Sequence, residues 1–440
     1  MPTTDTVIIG AGQAGLALSR QLSGGGHDHV VLERGRIGER WRSERWPSLR
    51  LLTPNWLNRL PGAGWHPEPD GFMPIGAFVG ELEAYARSFG APVRERHPVG
   101  RVAPAARGYH VYAGDDVWAA RNVVIATGDC DRPAVPAVAT VLPPRIVQLH
   151  SSEYRTPRDL PDGAVLVVGA GASGQQIADE LRRAGRRVVL AAGAHSRMVR
   201  RYRGRDSFAW LAMLGKLDER VGDVRDPAAA RLARSPALTG ARGGEELDLG
   251  VLHAEGVEVT GRLLGVAGGR ARFADDLPET VARADATLAR VLTRIDAYVA
   301  AAPGLADTPP GEPVAPVACG PGARSVDLRG FGAVVWATGY RRAYPWLRVP
   351  VLDPRGELVH DRGATSAPGL HVLGLRFQQR RASHLIGGVG VDATDLAERL
   401  GALTAARPGA GARRPGRGPT RRSAPTDRPA PPGAAARRAA

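Results

Sequence analysis

Glycines 10, 12 and 15 and glycines 169, 171 and 174 repeat one spacing, G-x-G-x-x-G, in the phrases "IIGAGQAG" and "VVGAGASG". Glycines so placed let a backbone turn tightly and come close to a phosphate, while the helix that follows points its free amides at the negative charge. The first turn has the full dinucleotide setting. "TVIIG" is an apolar, β-branched run that predicts a buried parallel strand, a helical stretch follows through Leu22, and "VVLE" ends at Glu33, 23 residues after Gly10. An acid at that distance accepts hydrogen bonds from ribose hydroxyls. Gly10, Gly12, Gly15 and Glu33 are therefore expected to bind a nucleotide with a free ribose, and FAD fits that description.

The second turn repeats the frame with a different ending. Strand "AVLVV" leads to Gly169, Gly171, Ser173 and Gly174, then a helix through Arg183, then "RRVVLAAGAHSR". Aligning "VVLE" with "VVLA" sets Ala191 opposite Glu33, so the ribose acid is missing. A carboxylate there would repel a 2′-phosphate, whereas His195, Arg197, Arg200 and Arg201 just past the strand would attract one. NADPH is expected at this turn, with His195 and Arg197 as its contacts. Two redox cofactors in one chain imply electron transfer between them.

The elements around these turns suggest how the chain is divided. "VVIATGD" (123–129) and "VVWATGY" (334–340) are both buried-type strands ending in A-T-G, each after one nucleotide segment, and both read as returns to the first domain. The first of them would bring Thr127 and Gly128 to the cofactor. The expected fold class is α/β, with two Rossmann-like dinucleotide-binding domains and the NADPH domain inserted in a discontinuous FAD domain. The expected boundaries are 1–138 and 326–405 for the FAD domain and 139–325 for the NADPH domain. The proline-rich stretch 131–144 is read as the outgoing linker and the loop 309–322 as lying near the return.

Bulk properties exclude several function classes. No apolar run approaches the roughly 18 residues of a membrane span, and the N-terminus lacks a basic region before its glycine turn, so a cytoplasmic protein is expected. The two cysteines, Cys130 and Cys319, are far apart and form no C-x-x-C, which argues against a zinc site or a dithiol redox centre, and no metal is expected. The net charge of +15 is concentrated at the end of the chain. Nine arginines and one aspartate in 406–440 put +8 there and leave +7 on the rest. That Arg-, Pro-, Ala- and Gly-rich tail has no apolar periodicity and is expected to be disordered, with no nucleic-acid partner.

The chain resembles the class B flavoprotein monooxygenases, the group of flavin-containing monooxygenases, YUCCA-like enzymes and Baeyer–Villiger monooxygenases. The resemblance covers about residues 5 to 400. It rests on the two turns, both A-T-G strands, and "PRIVQLHSSEYRTP", where His150 and Tyr154 match the identifier F-x-G-x-x-x-H-x-x-x-[F/Y/W]. Pro144 and Ile146 stand at its Phe and Gly positions, so that match is partial. The phrases "IGERWR" with Trp41, "SLRLLTPNW", "RRYRGRD" and "HLIGGVGVDA" are similar to bacterial members. The resemblance implies that Trp41 and "LLTP" lie against the flavin and that the "GGVG" turn lies near the isoalloxazine. It further implies that Asn55 bonds the flavin–NADP assembly and that His150 orders the NADP-side linker.

The activity it implies is an NADPH-dependent monooxygenase working through a flavin C4a-hydroperoxide. One oxygen atom passes to the nitrogen, sulfur or carbonyl centre of a small organic substrate, in specialised or amino-acid-derived metabolism. Molecular oxygen is then the second substrate, and a homodimer is compatible with the fold. Such chemistry needs no protein nucleophile, and no G-x-S-x-G or H-E-x-x-H occurs. Two other readings compete. One is a two-nucleotide FAD/NAD(P)H oxidoreductase that passes electrons to an acceptor other than oxygen. The other is a flavin-binding regulatory or nucleic-acid-associated protein using the basic tail.

Overall fold

The computed structural model describes residues 1–405, with side chains through 401, and its strands fall mainly into two sheets with parallel cores. The tail expectation for 406–440 lies outside the described residues. The first sheet has nine strands, and its parallel centre runs Leu370–Val372, Asp116–Ile125, Thr3–Ile9, His29–Leu32 and Val93–Arg94. The second has five, in the order Glu258–Thr260, Val188–Ala191, Ala164–Val168, Phe331–Trp336 and Val147–His150, every pair parallel. Parallel sheets are covered on both faces, which is why "AVLVV" and "FGAVVW" are buried at every position. The fold is α/β with two Rossmann-like units, as the alternation of strands and glycine turns predicts.

Helices Gln13–Gly24 and Ala172–Arg183 follow the two glycine turns, and each presses an apolar stripe on its own sheet. Leu16, Leu18 and Leu22 of the first are wholly buried among Ile8, Val31 and Val124. Ile177, Ala178 and Leu181 of the second pack on Val165, Val167 and Leu190. Each buried leucine or isoleucine contributes about 1.5–3 kcal/mol, so the helices, and the turns at their heads, are firmly seated.

Two sequence expectations are corrected by the topology. The strand of "VVWATGY" does not return to the first sheet; Phe331–Trp336 lies between Ala164–Val168 and Val147–His150 in the second. The 326 boundary therefore does not mark the re-entry, which follows Tyr340–Arg341, where the chain pairs antiparallel with the outgoing Arg132–Pro133. The reason is steric. Each A-T-G segment backs the turn of its own sheet, because a Cβ on Gly10 would lie 2.8 Å from the carbonyl oxygen of Ala126. A Cβ on Gly169 would likewise collide with the carbonyl of Ala337. The alignment at the second strand also shifts by one residue. Gly10 N–H donates to Leu32 O and Gly169 N–H to Ala191 O, so the counterpart of Glu33 is Ala192 and not Ala191. Ala192 is an uncharged, fully buried residue, and the acid is absent there too.

Candidate cofactor and active site

The two turns share one construction. Gly10 (φ +107°) and Gly169 (φ +111°) hold a conformation that side-chain-bearing residues rarely adopt. Gly15 and Gly174 sit so close beneath them that a Cβ would run into the carbonyl oxygens of Gly10 and Gly169. Gly12 and Gly171 are different, since a Cβ on either would meet nothing within 4 Å. Their missing side chains therefore serve no protein contact, and the open space lies where a helix N-terminus begins. Both turns are cradles for a group that approaches the backbone, as a pyrophosphate does.

At the first turn the cradle opens on a cavity of about 530 Å³. Gly10, Gly12, Glu33, Trp41, Thr127 and Gly128 all line it, whereas Gly15 serves the packing beneath. Glu33 is fixed by accepting from Ala11 N–H at 2.8 Å and Gly35 N–H at 3.0 Å. Trp41 donates from Nε1 to Gln13 Oε1 at 3.1 Å and stands edge-on to Phe78, with ring centroids 5.2 Å apart.

Charges on the walls are distributed unequally. Asp129 pairs with Arg342 at 2.5 Å, and Asp131 pairs with Arg40. Among the described residues, no carboxylate pairs with the wall residues Arg45, Arg132 or Arg376. Arg45 lies over the Trp41 ring at 5.5 Å and the Tyr340 ring at 5.9 Å, an orientation that holds its guanidinium by cation–π attraction. Glu33 is the wall acid left without a cation, and against it stand three arginines without an acid, so the cavity suits an anionic ligand.

The remaining expected site residues do other work. His150 is not on the cavity wall. Its Nε2 donates to Gly339 O at 2.9 Å and its Nδ1 faces the Ser152 hydroxyl at 2.9 Å, while its ring stands edge-on to Tyr340 at 4.8 Å. Burial lowers its pKa, which favours the neutral ring, and Nδ1 also accepts from the Ser152 N–H at 3.2 Å. It pins the crossing where the chain leaves and re-enters the first sheet. Asn55 is also off the wall: its Nδ2 donates to Glu68 O at 2.9 Å, and its buried Oδ1 has no partner among the described residues.

Arg197 is committed elsewhere, for its Nε donates to Asp248 at 2.8 Å and its Nη1 to Asp285 at 2.7 Å. A cation held between two acids is a structural clamp and a poor phosphate ligand, so it does not fit the role the sequence suggested. Arg200, wholly buried, is likewise paired with Asp206 and stacked 4.6 Å over Phe72. Arg201 donates to the carbonyls of Gly243 and Gly244. His195 stays at the end of the second turn's strand with Nδ1 3.1 Å from Gly193 O, and burial lowers its pKa. Ser173 is the second residue of the helix that Gly171 caps. Sequence reasoning missed Arg45, which is one arginine among several in "ERWRSERW", and Asp129, which directly follows A-T-G.

These cradles agree with the relatives of the chain. Residues 7–206 match the family model described as pyridine nucleotide-disulphide oxidoreductase. The uncharacterized CzcO-like oxidoreductase of Geobacillus kaustophilus is 31% identical over 396 residues, covering 89% of this chain and 97% of that protein. The chain belongs to the class B flavoprotein monooxygenases. A second relative, the indole-3-pyruvate monooxygenase YUCCA4 of Oryza sativa, is 35% identical over 196 residues, 40% of this chain and 44% of its own. In fold, the flavin-containing monooxygenase of Stenotrophomonas maltophilia superposes with a TM-score of 0.62 at 21% identity, covering 92% of this chain and all of that one. As a class B monooxygenase this chain is a flavin-dependent oxidoreductase, and the family's cofactors, FAD and NADPH, equal its cradles in number. Both cysteines are free and neither lies in a C-x-x-C, so the dithiol centre of disulfide reductases is not part of this site. Among the described residues no helix is long and apolar enough to cross a membrane, and no cluster suited to a metal is found.

Proposed function

We propose that this chain is a cytoplasmic NADPH-dependent monooxygenase that transfers one atom of molecular oxygen to a nitrogen, sulfur or carbonyl centre of a small organic substrate. FAD occupies the cavity at the first turn and NADPH the second turn. The observation that carries this reading is the shared construction of the turns, with Gly12 and Gly171 both open where a pyrophosphate would sit. Glu33 gives the first turn its ribose acid, and the buried Ala192 withholds one from the second.

When bound, the flavin supplies the oxygen chemistry. The chain's own residues bind, orient and exclude water. Gly10, Gly12 and Gly15 admit the pyrophosphate, Glu33 takes the ribose, and Thr127, Gly128 and Trp41 form the adjoining wall. Arg45 and Arg132 carry wall charges that no acid neutralises and would face the anionic ligand. On the other side Gly169, Gly171, Ser173 and Gly174 admit the second pyrophosphate, with His195 beyond them.

The second sheet forms a domain inserted in the first. The paired crossings Arg132–Pro133 and Tyr340–Arg341, fastened by His150, support this reading. They also suit a hinge, since two adjacent strands carry both connections. His150 and Asn55 then act as positioning residues away from the reacting atoms.

The flavin itself is a direct test. Protein purified from its host is expected to be yellow and to release FAD on heating, because Glu33 serves an adenosine ribose that FMN lacks. Chromatography of the released flavin identifies it, and recovery of FMN or of no flavin contradicts the assignment.

A further inference from the structure

The cavity wall near "RASHLIGGVG" holds a side chain that the glycine turns do not explain. His384 lines the cavity, and its Nδ1 is buried with no hydrogen-bond partner among the described residues. A buried ring nitrogen without a partner is costly, and such an atom at a ligand cavity points to something the cavity receives.

The ring is held by the Arg381 backbone, but no side chain around it offers a partner for Nδ1. Asp129 is the nearby acid, but its Oδ1 accepts from Arg342 at 2.5 Å and its Oδ2 from the Arg376 backbone N–H at 3.1 Å. The Arg376 guanidinium is turned to Ala233 O at 2.7 Å and Ser235 Oγ at 2.9 Å. Burial first, and then the Arg376 charge, push the imidazole pKa down to about 4, so the ring is neutral at pH 7. A neutral imidazole has one donor and one acceptor nitrogen, which suits an uncharged polar group better than a phosphate. The ribityl hydroxyls and the imide edge of a flavin are such groups.

We propose that His384 is a cofactor-binding residue whose Nδ1 pairs with an uncharged polar group of bound FAD. The inference rests on the reading of this cavity as the FAD site. The competing partner for Nδ1 is an ordered water.

The test uses the full chain stripped of flavin and reconstituted with FAD. It compares wild type with His384→Phe, which keeps bulk but no nitrogen, and His384→Asn, which restores a donor and an acceptor. Three readouts are taken: FAD affinity by fluorescence titration, the position of the visible flavin band, and the flavin reduction potential. His384→Phe is expected to bind FAD about three- to tenfold more weakly, the effect of one uncharged hydrogen bond, with a displaced band and potential. His384→Asn is expected to recover most of all three. If His384→Phe matches wild type in affinity, band and potential, the nitrogen meets only water and the proposal is overturned. If His384→Phe does not fold, a His384→Asn protein displaced in all three readouts overturns it instead, since the restored amide should serve. Failure of the underlying FAD reading looks different, because the wild type itself would then not take up FAD.

Discussion

Gly12→Ala is expected to fold with nearly the stability of the wild type and yet lose FAD. Gly15→Ala, three residues away, is expected to unfold readily. The contrast comes from what a single methyl group would touch. At residue 12 it meets nothing within 4 Å, so the free protein is unaffected, but the methyl occupies the approach of the pyrophosphate. Losing charge-assisted backbone contacts of about 1.5–3 kcal/mol weakens FAD binding on the order of tenfold to a hundredfold. At residue 15 the methyl is driven into the carbonyl oxygen of Gly10, a rigid backbone atom, at a cost of about 3 kcal/mol or more. Gly171→Ala and Gly174→Ala should repeat the contrast at the second turn, with NADPH affected in place of FAD. Thermal melting of the flavin-free proteins and flavin titration separate the two effects. A Gly12→Ala protein that retains normal FAD affinity contradicts the cradle.

The second large effect concerns nicotinamide choice. Arg197 lies between Asp248 and Asp285, so Arg197→Ala leaves two acids unpaired and should lower the melting temperature while leaving the ratio of NADPH to NADH reduction rates unchanged. The 2′-phosphate is instead expected to meet Arg234 and Arg262. Arg262 has its Cδ 3.9 Å from a Cβ built at Gly193, just beyond the second turn's strand; it is mostly exposed and its acid partner, Asp276, is at a loose 3.8 Å, unlike the two close acids on the buried Arg197. The exposed Arg234 is close enough to His195 for its charge to lower that histidine's pKa. The double change Arg234→Ala with Arg262→Ala should therefore weaken NADPH about tenfold or more and leave NADH nearly untouched. Anaerobic stopped-flow bleaching of the flavin by each nicotinamide measures both rates. A changed ratio in Arg197→Ala, with none in the double variant, would reverse the assignment.

Much of this site was legible because glycine spacing and strand patterning are local. Six glycines, Glu33 and the two buried A-T-G strands each declare a backbone geometry within a few residues, and the folded chain uses them that way. What failed depended on distant partners. The sequence around Arg197 shows a cation near a phosphate-binding turn; it does not show that Asp248 and Asp285, 51 and 88 residues on, close around it. The phrase "VVWATGY" looks identical whether its strand joins one sheet or the other, and only the carbonyl of Ala337 behind Gly169 decides. The one-residue slip between Ala191 and Ala192 has the same origin, since a repeated "VVL" fits both registers until the Gly169 hydrogen bond is known. His384 lay inside a phrase already linked to the flavin. Its significance depended on Asp129, 255 residues earlier, being held by Arg342 and the Arg376 backbone instead of by the imidazole.

The dependence of NADPH consumption on oxygen tests the central claim most directly. Purified enzyme with bound FAD is mixed with excess NADPH under argon and, separately, in air, and the nicotinamide consumed per flavin is counted. Under argon, consumption should stop after about one equivalent, when the flavin is reduced and nothing removes its electrons. In air it should continue through many turnovers, with oxygen consumed alongside. Sustained turnover under argon on addition of a quinone or disulfide, with no response to oxygen, would mark an oxidoreductase of another kind and contradict the account.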